Sequence, residues 1–188
     1  MKIGIAGGIG SGKSYVSQKI RDFGYEVYDC DNAAKRLINT SPDIRQKLTA
    51  LIGPDTYTAE GLLNKRVVAD FLLASEANGR AINDIVHPAV FRDFEESGML
   101  FMESAIMYES GIYKLVDRVL AVVAPKEVRI QRVMARDQIT REKVLDWMNR
   151  QMPQKELIHK ADYVIVNDGQ TDIDKQLKKI IEQCNRPF

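Results

Sequence analysis

Apolar residues follow two rhythms along this chain. Short, nearly unbroken apolar runs occupy residues 2–6, 26–28, 99–103, 118–124 and 162–166. Runs of that length and character predict strands covered on both faces. Between them, apolar residues recur every three or four positions, the spacing of helices with one buried stripe. Residues 15–23 form one such segment, stopped by Gly24, and residues 32–38 another. Ser41-Pro42 opens a helix with Ile44, Leu48, Leu51 and Ile52 on its stripe, and Gly53-Pro54 ends it. Asn64 caps the next, which turns Val67, Val68, Phe71 and Leu72 inward. A further helix runs through Ala81, Ile82, Ile85 and Val86. The pair His87-Pro88 is expected to break it, with Pro88 starting a separate helix that stops at Ser97-Gly98. Pro125 starts a helix that breaks at residues 137–140. Thr140 then caps a second, running through Trp147 to Arg150. A closing helix begins at Thr171 or Asp172 and buries Ile173, Leu177, Ile180 and Ile181.

Strands alternating with helices predict an α/β fold with a five-stranded parallel sheet flanked by helices. About 65 residues of helix separate the second and third strands, more than a crossover needs. That excess predicts a helical lobe inserted into a single domain, with the core at about 1–31, 99–125 and 152–188, the lobe at about 32–98 and a helical lid at about 126–151. The chain has 188 residues, 45% hydrophobic and 28% charged, with formal net charge +1. No global field draws it to nucleic acid or membrane, so neither is an expected partner, and any anion site must be local. Two cysteines, Cys30 and Cys184, stand far apart, outside any zinc-type pairing. With no leader-like N-terminus and no apolar run of membrane-spanning length, the expected location is the cytoplasm. The four tail residues 185–188 carry no assignment.

Chemistry enters at Gly7-Gly8-Ile9-Gly10-Ser11-Gly12-Lys13-Ser14, a match to G-x-x-x-x-G-K-[ST] between a strand run and a helix. Glycines let successive backbone N–H groups converge on one anion, and the helix start adds its positive end. Lys13 reaches β- and γ-phosphates, and the Ser14 hydroxyl suits Mg²⁺. A second landmark is Asp29-Cys30-Asp31, two carboxylates at a strand's C-terminal end, where open α/β sheets bind ligands. One of the pair could equally cap the following helix, and the residues do not choose between them. Glu103 closes the third strand run in the manner of a metal-facing acid, with Glu109 a second acid nearby. Arg129, Arg132 and Arg136 recur on one helical face. With Arg141 and Arg150 across the break, they suit a phosphate-covering lid better than a plain exposed hairpin. His87 either satisfies backbone groups at a helix end or donates to a polar substrate group. Phosphoryl transfer to a small acceptor fits this set. A kinase for another nucleoside and a nucleotide-sensing switch are the alternatives.

Taken together, residues 4–14, the 27–31 segment Val-Tyr-Asp-Cys-Asp, His87-Pro88, residues 136–142 (Arg-Asp-Gln-Ile-Thr-Arg-Glu) and the Asn167-Asp168-Gly169 turn strongly resemble dephospho-coenzyme A kinase, in order and spacing, over essentially the whole chain. The resemblance implies a P-loop nucleotide kinase fold with an acceptor-binding helical lobe and a lid. It implies transfer of the γ-phosphate of ATP, with Mg²⁺, to the ribose 3′-hydroxyl of dephospho-coenzyme A, the last step of coenzyme A synthesis. Asp31 becomes the catalytic base, assisted by Lys13 and Arg136. Gly8, Gly10, Ser11, Gly12, Lys13, Ser14, Tyr15, Arg141 and Asn167 become the nucleotide contacts. From the residues themselves, Ser14 and Glu103 are the expected metal contacts, and Arg66 and His87 are expected to join Asp31 as acceptor contacts. A monomer or small homo-oligomer is expected. The chain departs from the family pattern at Tyr15, where Thr is usual, at Cys30, where Ala is usual, and at Ser104-Ala105-Ile106, where Pro-Leu-Leu is common.

Overall fold

The computed structural model describes residues 1–184. Its strands are β1 (Ile3–Ala6), β2 (Val27–Asp29), β3 (Phe101–Glu103), β4 (Arg118–Val123) and β5 (Tyr163–Val166). They form one all-parallel sheet in the order β2-β3-β1-β4-β5. Each falls on an apolar run, with ends shifted by one or two residues. The helices are α1 (Lys13–Asp22), α2 (Cys30–Thr40), α3 (Pro42–Ile52), α4 (Lys65–Ala74), α5 (Glu76–Ser97), α6 (Lys126–Asp137), α7 (Arg141–Asn149), α8 (Gln154–Lys160) and α9 (Ile173–Cys184). The tail residues 185–188 and the side chain of Cys184 lie outside the described residues.

The chain divides into two compact units, residues 1–29 with 99–184, and residues 30–98. The first holds the sheet. Ile3, Ile5, Phe101, Leu120, Val122 and Ile165 pack with Val16 and Ile20 of α1 and with Ile173, Leu177 and Ile180 of α9. Each such side chain removed from water contributes about 1.5–3 kcal/mol, before conformational entropy offsets it. Register places Glu103 beside both Ile5 and Asp29. Two acids therefore stand side by side at the C-terminal edge, next to the end of β1. A short helix, α8, follows Pro153 where the sequence predicts none. It has seven residues and buries only Leu157, too few positions to display a stripe.

The second unit is all helical, with Ile44, Leu48, Val86, Val90 and Phe94 buried. The caps follow the sequence: Ser41 accepts from Ile44 N–H, and Asn64 from Val67 N–H. Two expectations fail here. The His87-Pro88 pair does not break a helix, because α5 runs unbroken for 22 residues with Pro88 inside it. Proline removes one intrahelical hydrogen bond, yet Val86, Val90 and Phe94 stand four apart on one buried face. Burying that stripe outweighs the local preference. Nor does Leu72 turn inward. No residue of α4 is fully buried, and Leu72 and Leu73 are exposed, because α4 packs along a single side.

His87 is partly buried in mid-helix and stacks on Phe91 one turn later, 6.1 Å between ring centres. Burial lowers its pKa, with Asp84 opposing. The folded state therefore favours neutral imidazole, and the unfolded chain takes up protons first as pH falls through 6.5. Stability contributed by His87 should be intact above that value and lost below it. Denaturant midpoints measured across this range should fall less steeply for His87→Phe, which keeps the stack, than for the wild type.

Candidate functional site

The loop between β1 and α1 is organised by its carbonyls. A peptide that turns its N–H toward an anion turns its C=O the other way, and each such oxygen needs a donor. Here Lys13 Nζ donates to Gly7 O at 2.8 Å, and Ser11 N–H to Gly8 O at 3.1 Å. Arg129 Nε donates to Ile9 O at 2.9 Å. Asn167 Nδ2 donates to Ser11 O at 2.9 Å, and Val16 N–H to Gly12 O at 3.1 Å. Gly12 has φ +90 and lies against Asn167 Nδ2, so a side chain there would meet both strain and a clash. Gly8 has no room for a Cβ against Arg129 Nη2. No side chain caps α1 and no acid stands in its first turn. Its positive end is thereby left for an external anion. Ser11 Oγ is fully buried and, alone among the buried side-chain nitrogen and oxygen atoms of the described residues, has no hydrogen-bond partner.

Glu103 stands at the end of β3, adjacent to β1. Its Oε1 accepts from Ser14 Oγ at 3.0 Å and its Oε2 from Ser17 Oγ at 2.7 Å. Two cis ligands of a magnesium ion with bonds of 2.0–2.1 Å lie about 2.9 Å apart. The spacing of Ser14 Oγ and Glu103 Oε1 fits one edge of such an octahedron. Among the described residues no cluster of three or more His, Cys, Asp or Glu exists to form an all-protein cage. A magnesium ion here would complete its shell with waters and phosphate oxygens, as it ordinarily does. Ser17 was missed in the sequence, although it stands one turn after Ser14 on the same helix face.

The arginines of the α6–α7 hairpin divide into two groups. Arg129 is buried, 8% exposed, and reaches the loop. Arg132 donates to Asn167 O at 3.0 Å and to Asn167 Oδ1 at 3.3 Å, so the Asn167 side chain bridges Ser11 and Arg132. Arg136 instead makes a two-pronged contact with Asp137, at 2.8 and 2.7 Å. Arg141 does the same with Glu127, at 2.7 Å for both bonds. Each carboxylate, by its hydrogen bond, raises its arginine's pKa and is itself held below the usual carboxylate range. Both pairs are surface pairs, worth little in stability and readily exchanged. The hairpin break is as expected: Gln138 takes a left-handed turn and Thr140 caps α7. Gln151, just beyond α7, accepts from Ile9 N–H at 2.7 Å. No sequence signal marks it.

Beside the loop lies a cavity of about 570 Å³ bordered by Gly12, Tyr15, Lys19, Arg132, Asn167 and Asp174. Tyr15 is exposed there, and the Lys19–Asp174 ion pair, 3.0 Å, borders the same space. The remaining site candidates belong to the helical unit. Asp31 stands in the first turn of α2, exposed Arg66 in the first turn of α4, and His87 in mid-α5.

Comparison with known proteins bears on this geometry. Residues 1–172 match the family model described as dephospho-CoA kinase. A dephospho-CoA kinase of Porphyromonas gingivalis is 40% identical over 187 residues, spanning 96% of this chain and 92% of the relative. Among solved structures, a Thermus thermophilus protein superposes with a TM-score of 0.85 at 31% identity, over 100% of this chain and 98% of the other. The dephospho-CoA kinase of Campylobacter jejuni shares the fold, with a TM-score of 0.68 at 19% identity, each chain covered to 98%. A phosphate loop held by its carbonyls, an acid one strand away and near full-length similarity agree: the chain belongs to the dephospho-CoA kinase family.

Proposed function

We propose that this chain transfers the γ-phosphate of ATP to the ribose 3′-hydroxyl of dephospho-coenzyme A, giving coenzyme A and ADP, the last step of coenzyme A synthesis. The donor half of the reading is carried by the loop at residues 7–14, its carbonyls turned onto protein donors and its helix start uncapped, and the acceptor half by membership of the family. In the proposed mechanism the donor phosphates are bound by the loop N–H groups other than those of Ile9 and Ser11, which are held within the protein. Lys13 exchanges Gly7 O for the β- and γ-phosphate oxygens. The neighbouring cavity takes the nucleoside, with Tyr15 and Asn167 at its border. Magnesium, when bound, neutralises charge on the donor phosphates, and Ser14 and Glu103 are the side chains that would hold it. Asp31 orients the acceptor hydroxyl and takes its proton as the oxygen–phosphorus bond forms and the bond to the β-phosphate oxygen breaks. Arg136 and Arg141 exchange their carboxylate partners for the transferring phosphate, which offers the same planar fork a stronger charge. Arg66 and His87 are the helical unit's contacts for the acceptor.

Within this reading the two units divide the labour, the sheet unit holding the donor and the helical unit the acceptor. A monomer or small homo-oligomer acting on these two small molecules, in the cytoplasm, is the biological setting we propose. Among the described residues no helix is long and apolar enough to cross a membrane.

Purified protein should phosphorylate dephospho-coenzyme A in a panel of acceptors at fixed ATP, and chelation of magnesium should abolish turnover. A preference for a plain nucleoside, or ATP binding with no labelled product, would overturn the assignment. Asp31→Asn should lower kcat by about 10²–10⁴-fold, the usual contribution of a positioned base, with ATP affinity largely kept. Undiminished turnover would remove Asp31 from the mechanism. Lys13→Met should lower kcat/KM for ATP by at least about 10²-fold, as loss of a phosphate-stabilising charge does.

A further inference from the structure

The two glycines around Ile9 make the outer half of the phosphate loop intrinsically loose. Gly8 and Gly10 both lack side chains, and Gly10 has φ +77. Left to itself such a segment samples many backbone states, and ordering it costs conformational entropy at the moment of binding. In this structure the order is already supplied. Gln151 Oε1 accepts from Ile9 N–H at 2.7 Å, and Arg129 Nε donates to Ile9 O at 2.9 Å. The Ile9 side chain packs against the small core of the α6–α7 hairpin, formed by Ile130, Val133 and Val144 with Trp147 beside them. Ile9 is therefore held by both backbone groups and by its side chain, through the α6–α7 hairpin and the residues that directly follow it.

Arg129 is unusual in its own right. Among the described residues it is the buried arginine, and no carboxylate lies within ion-pair distance of it. A buried guanidinium is costly unless its donors are satisfied. Here they go to Ile9 O and, at 3.4 Å, to Gln154 Oε1, which also accepts from Ala124 N–H at the end of β4. The sheet, the arginine and the loop thus form one hydrogen-bonded series. Burial lowers the guanidinium's pKa, in keeping with a charge held without an acidic partner.

We propose that Arg129 and Gln151 are positioning residues for the donor nucleotide, gripping the two backbone groups of Ile9 so that the loop meets phosphate already ordered and fastened to the α6–α7 hairpin. The proposal rests on the reading of residues 7–14 as the site of the ATP phosphates. Neither residue acts through added charge at the phosphate, and Gln151 carries none. The grip also makes the hairpin and the loop a single body, so a movement of α7 is felt at the peptide planes of the loop.

Two variants that preserve charge test this. Gln151→Met keeps the side-chain length and removes the acceptor. Arg129→Lys keeps the cation and removes the planar fork. ATP affinity is followed by the fluorescence of Trp147, the one tryptophan of the chain, with calorimetry as a second measure, and steady-state constants are taken for both substrates. Each variant should weaken ATP binding and raise the KM for ATP by about five- to tenfold, the usual effect of losing one partly buried hydrogen bond. The KM for dephospho-coenzyme A should stay within about twofold, which a general loosening of the fold would not allow. Variants that bind ATP as the wild type does would overturn the grip alone. A parallel rise in both KM values would also overturn it, as the mark of a purely structural role. A wild type that binds no ATP would remove the reading of the loop, and the grip with it. Circular dichroism and thermal melting check folding. Should Arg129→Lys fail to fold, Gln151→Met decides the question.

Discussion

The structure depends on one stereochemical constraint: a peptide unit cannot point its N–H and its C=O the same way. To gather N–H groups around an anion, the loop after β1 must turn its carbonyl oxygens outward, into protein. Those oxygens then need donors, and the surrounding elements supply them. Lys13 closes the loop on Gly7, Asn167 reaches in from the end of β5, and Arg129 reaches in from α6. The sheet order serves this purpose. With β1 central, flanked by β3 and β4 and with β5 one strand further, the elements following β3, β4 and β5 all begin near the loop. Glu103 arrives from one side, and Arg129 and Asn167 from the other.

The same constraint divides the hairpin's arginines by role. A buried arginine with its donors on backbone oxygen is a structural bolt, whereas an exposed one on an exposed carboxylate is held weakly and can be recruited. Arg129 is of the first kind, the half-buried Arg132 holds Asn167 O in a similar way, and Arg136 and Arg141 are of the second. Surface ion pairs contribute little to stability, so Arg136 and Arg141 can leave Asp137 and Glu127 for a phosphate at small cost.

Much of this was legible in the letters, for reasons that can be named. Strands buried on both faces must be apolar throughout, so β1 and β4 stand out from their surroundings. The loop is legible because its backbone needs glycine where φ is positive, as at Gly12, and Lys13-Ser14 fixes the register. The caps at Ser41, Asn64 and Thr140 are local chemistry, visible in the residues at each helix start. What escaped is what depends on tertiary partners. α5 runs through Pro88 because Val86, Val90 and Phe94 find a core, a fact no local rule contains. α8 is too short to display a period, and Leu72 is exposed because α4 packs on one side only. In the site, an even spacing of arginines did not reveal that Arg129 and Arg132 face inward to the loop while Arg136 faces solvent. Gln151 and Ser17 lie in no motif, since their importance comes entirely from what folding brings beside them.

The pairing of β1 has a consequence for biogenesis. Its partners are β3 and β4, at Phe101–Glu103 and Arg118–Val123, while residues 30–98 form a compact body of their own. On a ribosome, the first strand emerges long before anything it can pair with has been made. At about 5–20 residues per second, a hundred intervening residues take roughly 5–20 s to appear. For that interval an unsatisfied apolar strand is tethered to a nascent helical body that can already be folding. The active loop, which leans on donors from still later in the chain, is among the last parts to set. Newly made chains therefore pass through a window in which β1 has no strand to pair with and the loop after it has yet to meet its later donors.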